Sequence, residues 1–182
     1  MDKEIQDSII DEWNETPVRP WSRLFATYID VVIINYLLAV IFDITFGEDV
    51  YSFVIFIIYY AAVVVVTVYA LAFSLSQSGT TPGKWFFGIR VEDKDGGVPD
   101  YDAVVKREWR LIIYGFALFI PIANLVAHFM NRSRLMETGN VSWDADNGLR
   151  TLYKKRSTTQ LVKQAIGVLI FFIILFTVLI PE

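Results

Sequence analysis

Val50 to Leu75 is a run of 26 residues without a formal charge. At about 1.5 Å rise per residue, a helix of that length crosses a hydrocarbon core of roughly 30 Å with tilt to spare. In lipid the run must be helical, because only a helix satisfies its own backbone groups there. Val63 to Val66 are β-branched and would favour a strand in water, a preference that bilayer context overrides. Three further apolar blocks follow the same logic. Leu24 to Phe42 carries one charge, Asp30; Leu111 to Met130 includes Pro121, Asn124 and His128; Ala165 to Ile180 is nearly unbroken Ile, Leu, Val and Phe. The expected fold class is an all-α membrane protein of three or four transmembrane helices, at about 24–42, 50–75, 111–130 and within 160–182.

A length of 182 residues would by itself suggest one soluble domain, but 54% apolar residues grouped in long blocks overrule that. The absence of cysteine excludes disulfides, thiolate metal sites and cysteine nucleophiles. Net charge is −4, unevenly spread: Asp2, Glu4, Asp7, Asp11, Glu12 and Glu15 face only Lys3 in the first sixteen residues. Residues 1–19 therefore read as an acidic, flexible tail, and no cleavable signal peptide is expected.

Orientation follows from the Lys and Arg content of the connections. Asp43 to Asp49 has none and should face outside. Lys3, Arg19 and Arg23 precede the first block, placing the N-terminus in the cytoplasm. The second connection holds Lys84, Arg90, Lys94, Lys106, Arg107 and Arg110; the third holds Arg132, Arg134, Arg150, Lys154, Lys155 and Arg156. Four full crossings would put that last set outside. Either the third block is re-entrant, bent at Pro121, or it spans fully against the charge rule. The twelve basic residues on its flanks favour the bend.

Two short stretches alternate like strands: Gly88 to Asp93, followed by the turn Lys94-Asp95-Gly96-Gly97, and Gly148 to Tyr153. Paired, they would form a small cytoplasmic two-stranded β element at about 88–93 and 148–153. Between them, Tyr101 to Arg110 suits an amphipathic helix with Val104, Val105 and Trp109 on one side and Lys106, Arg107 and Arg110 near head groups. Trp13, Trp21, Trp85, Trp109 and Trp143 all lie outside the apolar cores, as an interfacial belt would have them.

Arg23-Leu-Phe-Ala-Thr-Tyr-Ile-Asp30 resembles the first-helix signature of the RDD family of prokaryotic integral membrane proteins. Gly79-Thr-Thr-Pro-Gly-Lys-Trp-Phe-Phe-Gly-Ile-Arg-Val91 is similar to that family's second signature. The resemblance covers roughly Pro20 to Tyr153, giving a membrane domain over 20–159 and leaving the last apolar block as an added helix over 160–182. It implies that Arg23 and Asp30 match the family's arginine and first aspartate. Asp144 is the candidate for the second, with Asp146 competing. It also implies a transporter, in some members one of sodium/proton exchange.

Asp30 is the sharpest chemical feature, since a carboxylate within a span is costly and is paired, protonated or facing water. Arg23 lies seven residues earlier on the same stripe, about 10 Å away along the axis. Asp30 could exchange a cation or proton with Arg23 shaping its field, or be a structural contact to a group such as Arg110 or His128. Arg110, Tyr114, Pro121, Asn124 and His128 fall on one face of a continuous helix. His128 could relay protons, although a lone interfacial histidine is more often a hydrogen-bonding partner. Gly79-Thr-Thr-Pro-Gly-Lys lacks phosphate-loop spacing and reads as a tight turn from the second helix to the first strand. Its Gly83 would permit close backbone approach, and Lys84 would reach head groups or a carboxylate such as Asp144.

No catalytic triad, metal-ligand spacing or nucleophile elbow is present, so enzymatic activity, cofactors and metals are not expected. Neither are nucleotide or nucleic-acid partners. Two functions remain. One is a small ion or solute transporter using Arg23 and Asp30, necessarily self-associated because one copy lacks internal repeats and is too small for a water-lined path. The other is a non-transporting scaffold or accessory subunit of a membrane complex, in which Arg23, Asp30 and Asp144 are structural.

Overall fold

The computed structural model describes residues 13–14, 18–47, 53–115 and 147–179, together with 130, 132–133, 135–137 and 144. Helix α1 (Pro20–Phe46) and helix α2 (Phe53–Ser78) are the two long apolar helices. Each is long and apolar enough to cross a membrane, and only 28% of the most apolar stretch of each is buried within the chain. Leu37, Ile41 and Ile44 on α1 and Phe53, Val54 and Phe73 on α2 are exposed. Apolar flanks of that extent call for lipid or a packed neighbour. Both helices begin and end a few residues from the expected bounds. α1 runs one turn further at each end, Pro20 fitting the first helical position where no N–H is needed.

Beyond Ser78 the chain turns at Gly79, whose φ of +70° suits glycine. The tight turn expected here is instead followed by a short helix, α3 (Pro82–Phe87), capped by Thr81. The Thr81 hydroxyl oxygen accepts from the Lys84 N–H at 3.3 Å, and Pro82 occupies the first helical position. Gly88 ends α3 in the left-handed region and releases the chain into strand β2 (Ile89–Glu92).

Strand β2 pairs antiparallel with β3 (Arg150–Lys154), Ile89 opposite Tyr153 and Glu92 opposite Arg150. The expected β element is therefore present, and it has a third member. Trp13–Asn14 forms β1 on the far side of β3, so the acidic tail includes a segment docked on the sheet. Lys154 lies over the Trp13 ring, its Nζ 5.8 Å from the centroid. Alternation sorts the β2 side chains: Ile89 and Val91 are buried inward, whereas Arg90 and Glu92 pair at 3.2 Å on the other face.

Helix α4 (Tyr101–Arg110) runs directly into a π-helical turn, Leu111–Gly115, so the third apolar block opens as its continuation. Pro121, Asn124, His128, Trp143 and Asp146 lie outside the described residues, and with them the expected bend. Helix α5 (Thr158–Leu179) packs along α1 and α3. The Gln160 side-chain amide donates to the Phe86 carbonyl at 2.8 Å, satisfying an acceptor at the end of α3. Two apolar clusters fix the assembly: Ala26, Ile29, Phe87, Ile89 and Tyr153 join α1, α3 and the sheet, while Ala72, Leu75, Val91, Val104 and Leu149 join α2, α4 and the sheet. The sheet, α3 and α4 thus cap the end of the hairpin where α1 begins and α2 ends.

Candidate functional site

Asp30 lies on the inner face of α1, 2% exposed, opposite the start of α3. Its Oδ2 accepts from the Thr81 hydroxyl at 2.5 Å and its Oδ1 from the Gly83 N–H at 2.7 Å. The Lys84 ammonium stands 3.9 Å from Oδ2. Thr81 therefore serves twice, accepting as the cap of α3 and donating to Asp30. The approach is possible only at glycine, because a Cβ on Gly83 would lie 2.1 Å from the Ala26 carbonyl oxygen and 2.9 Å from the Asp30 carboxyl carbon. Close approach at Gly83 is as expected. The partners of Asp30 are not: Thr81, Gly83 and Lys84 hold it where Arg110 or His128 was expected, His128 lying outside the described residues, and Lys84 reaches Asp30 rather than Asp144 or head groups.

Arg23 goes elsewhere. Its guanidinium donates to Asp144, whose carboxylate is fully buried and also accepts from Arg107 Nε at 2.7 Å and from the Thr151 hydroxyl at 3.1 Å. Arg107 turns its other edge to Glu108, its neighbour on α4, with which it forms an ion pair. Asp144 thus receives two arginines, while Asp146 lies outside the described residues. The backbone carbonyl of Asp144 accepts from Asn147 and Leu149 N–H, which turns the chain into β3 and brings Thr151 alongside. Lys106 is exposed as expected, whereas Arg107 is buried at 2% exposure and is no head-group contact.

These residues form one neutral network: Arg23, Lys84 and Arg107 against Asp30, Glu108 and Asp144. It links α1, α3, α4 and the segment leading into β3. Burial pushes the Lys84 ammonium below its ordinary value, with Glu108 and Asp30 acting in the opposite direction. Burial alone would raise Asp144, but Arg107 and then Arg23 outweigh it and hold this carboxyl at about 2. A carboxyl depressed from 3.8 contributes stability that is complete above about pH 4 and lost as pH falls through 2. Wild-type unfolding in detergent should therefore weaken by on the order of 2 kcal/mol between pH 4 and pH 2. Asp144→Asn should lack that component; an identical acid profile in the variant would refute the assignment.

Three of the signature residues were legible in the sequence, whereas Arg107, Glu108 and Thr81 were missed as members of the site. A signal existed for two of them: Val104, Arg107, Glu108 and Leu111 follow helical i, i+3, i+4, i+7 spacing, and all four are buried. Lys84 was a candidate and is central. Arg110 is half-buried.

A sequence model described as the RDD family matches residues 17–181. The matched span takes in α5, which the two short motifs alone had left outside the resemblance. No curated protein and no solved structure matches the chain.

Proposed function

The chain belongs to the RDD family and is a membrane protein, and from that premise we propose that it is a non-transporting membrane scaffold or accessory subunit whose signature residues are a structural clamp. The reading rests on one observation: the Asp30 carboxylate is buried and already held by a hydroxyl, a backbone N–H and an ammonium. An ion-coupling carboxylate must exchange protein partners for its ion, and these three sit on one short helix docked by Gly83. In this reading α1, α2 and α5 lie in a prokaryotic inner membrane as a multi-pass anchor. The sheet, α3 and α4 form a cap on the cytoplasmic side, where the basic connections lie, available to a partner subunit or a second copy.

Asp30→Asn tests the proposal. It should lower Tm in detergent, because Lys84 loses its nearest counter-charge in a buried position. Sodium and proton flux in sealed vesicles should equal that of protein-free vesicles for wild type and variant alike. A wild-type flux that vanishes in Asp30→Asn would overturn the scaffold. It would support the second reading, exchange of a small cation or proton through a self-associated form. One observation favours that reading: Lys84 is an ammonium whose burial eases proton release, 3.9 Å from Asp30.

A further inference from the structure

The charge network leaves one cationic cluster unused, at the boundary where α1 meets the sheet. Arg19 is the residue that caps the start of α1, one turn before Arg23. Its guanidinium lies over the Tyr153 ring, Cζ 5.9 Å from the centroid. Tyr153 on β3 is 2% exposed, its ring packed against Ala26, Ile29, Phe87 and Ile89. Three polar atoms here are buried without a hydrogen-bond partner: Nε and Nη1 of Arg19 and the Tyr153 hydroxyl. All three can donate. A buried donor without an acceptor is costly, by about 1–3 kcal/mol each, so three together need a reason.

We propose that Arg19 and Tyr153 form a binding site for a phosphate oxyanion, presented by the head group of an anionic phospholipid.

The chemistry of the site is one-sided. The two Arg19 N–H groups offer the forked donor pattern that matches phosphate oxygens. The Tyr153 hydroxyl adds a neutral donor fixed by a packed ring. Arg156 is exposed, and its charge together with burial pushes the Arg19 guanidinium below its ordinary value, burial being the larger cause. The start of α1 adds the positive end of a helix of 27 residues.

Location argues for a lipid as the source of the phosphate. Trp21, 57% exposed, and Trp85, 51% exposed and carrying Lys163 at 4.3 Å from its ring, mark the same end of the hairpin as the interfacial belt. Arg19 lies two residues from Trp21 and just outside the apolar span, at the depth of head-group phosphates.

The test uses the full chain in a neutral detergent, titrated with phosphatidylglycerol, phosphatidylcholine or inorganic phosphate, and reads retained ligand by native mass spectrometry and Tm. Wild type should bind phosphatidylglycerol about tenfold or more tightly than Arg19→Gln or Tyr153→Phe does. Without added lipid, Tyr153→Phe should keep or raise Tm, because it removes an unpaired buried hydroxyl while leaving the ring, so lost binding could not be ascribed to misfolding. The same discrimination with inorganic phosphate and none with phosphatidylglycerol would support the oxyanion site and reassign its source to a soluble phosphate. Equal affinities of wild type and both variants for phosphatidylglycerol and for phosphate would overturn the proposal.

Discussion

Gly83→Ala should lower Tm in detergent by roughly 10 °C while leaving the helical content of α1 and α2 intact. The added methyl would lie 2.1 Å from the Ala26 carbonyl oxygen, a backbone atom that has no rotamer in which to retreat. Helix α3 must move off α1, which costs about 1–3 kcal/mol for the overpacking. That displacement also stretches the 2.7 Å bond from the Gly83 N–H to Asp30, and a hydrogen bond to a charged group contributes about 1.5–3 kcal/mol. Together these reach about 3 kcal/mol or more, and 1 kcal/mol corresponds to roughly 2–4 °C for a chain of this size. Gly167→Ala supplies the graded control. Its Cβ would meet the Phe86 Cβ and Cγ at 3.0 and 3.1 Å, an overlap far milder than the 2.1 Å approach at Gly83, so the loss should be clearly smaller. Equal losses at both glycines, or none at Gly83, would remove the docking of α3 on α1 as the organising contact.

Much of this arrangement is legible in the sequence because local chemistry signals it. Asp30 stands out as a carboxylate among apolar residues, and its burial is what bilayer energetics lead one to expect. The alternating Gly88–Asp93 and Gly148–Tyr153 stretches pair as strands because period-2 burial needs no distant information. Gly83 before Lys84 points to a close approach for the same reason.

What was not legible depends on contacts made across the chain. Arg23 and Asp30 share a helix stripe, and that proximity suggests a pair. Yet two turns of rise separate them, and each finds a nearer partner from a remote segment, Asp144 being 121 residues from Arg23. Arg107 and Glu108 sit in a charge-rich stretch whose composition suggests solvent or head groups. Their burial becomes sensible only once Lys84 and Asp144 arrive to neutralise them. Strand β1 has two residues inside an acidic tail, too short for any periodicity, and exists because β3 offers an open edge.

Arg107→Met should be more destabilising than any single change elsewhere in the charge network, by about 3–5 kcal/mol, because it strips a buried cation from two buried anions at once. Asp144 would keep Arg23 and Thr151. Glu108 would not fare so well: its Oε1 loses the Arg107 partner and its Oε2 has none already, at 0% exposure. The network then holds two cations against three anions, and an uncompensated carboxylate in that setting must protonate or break the packing of α4. Charge balance, more than the loss of any one hydrogen bond, therefore decides the outcome. That distinction is measurable in a double-mutant cycle. Arg107→Met combined with Glu108→Gln restores two cations against two anions and leaves only a neutral amide to satisfy. The double variant should accordingly be more stable than Arg107→Met alone, a strongly non-additive result for residues in direct contact. Arg107→Lys, which keeps the charge and loses the fork, should fall between wild type and Arg107→Met. Denaturant unfolding of five proteins in one detergent, wild type, Arg107→Met, Glu108→Gln, the double variant and Arg107→Lys, measures all of these differences. A double variant that loses the sum of its two single losses would show that the six groups act as separate contacts, and the clamp would no longer explain why the signature residues are buried.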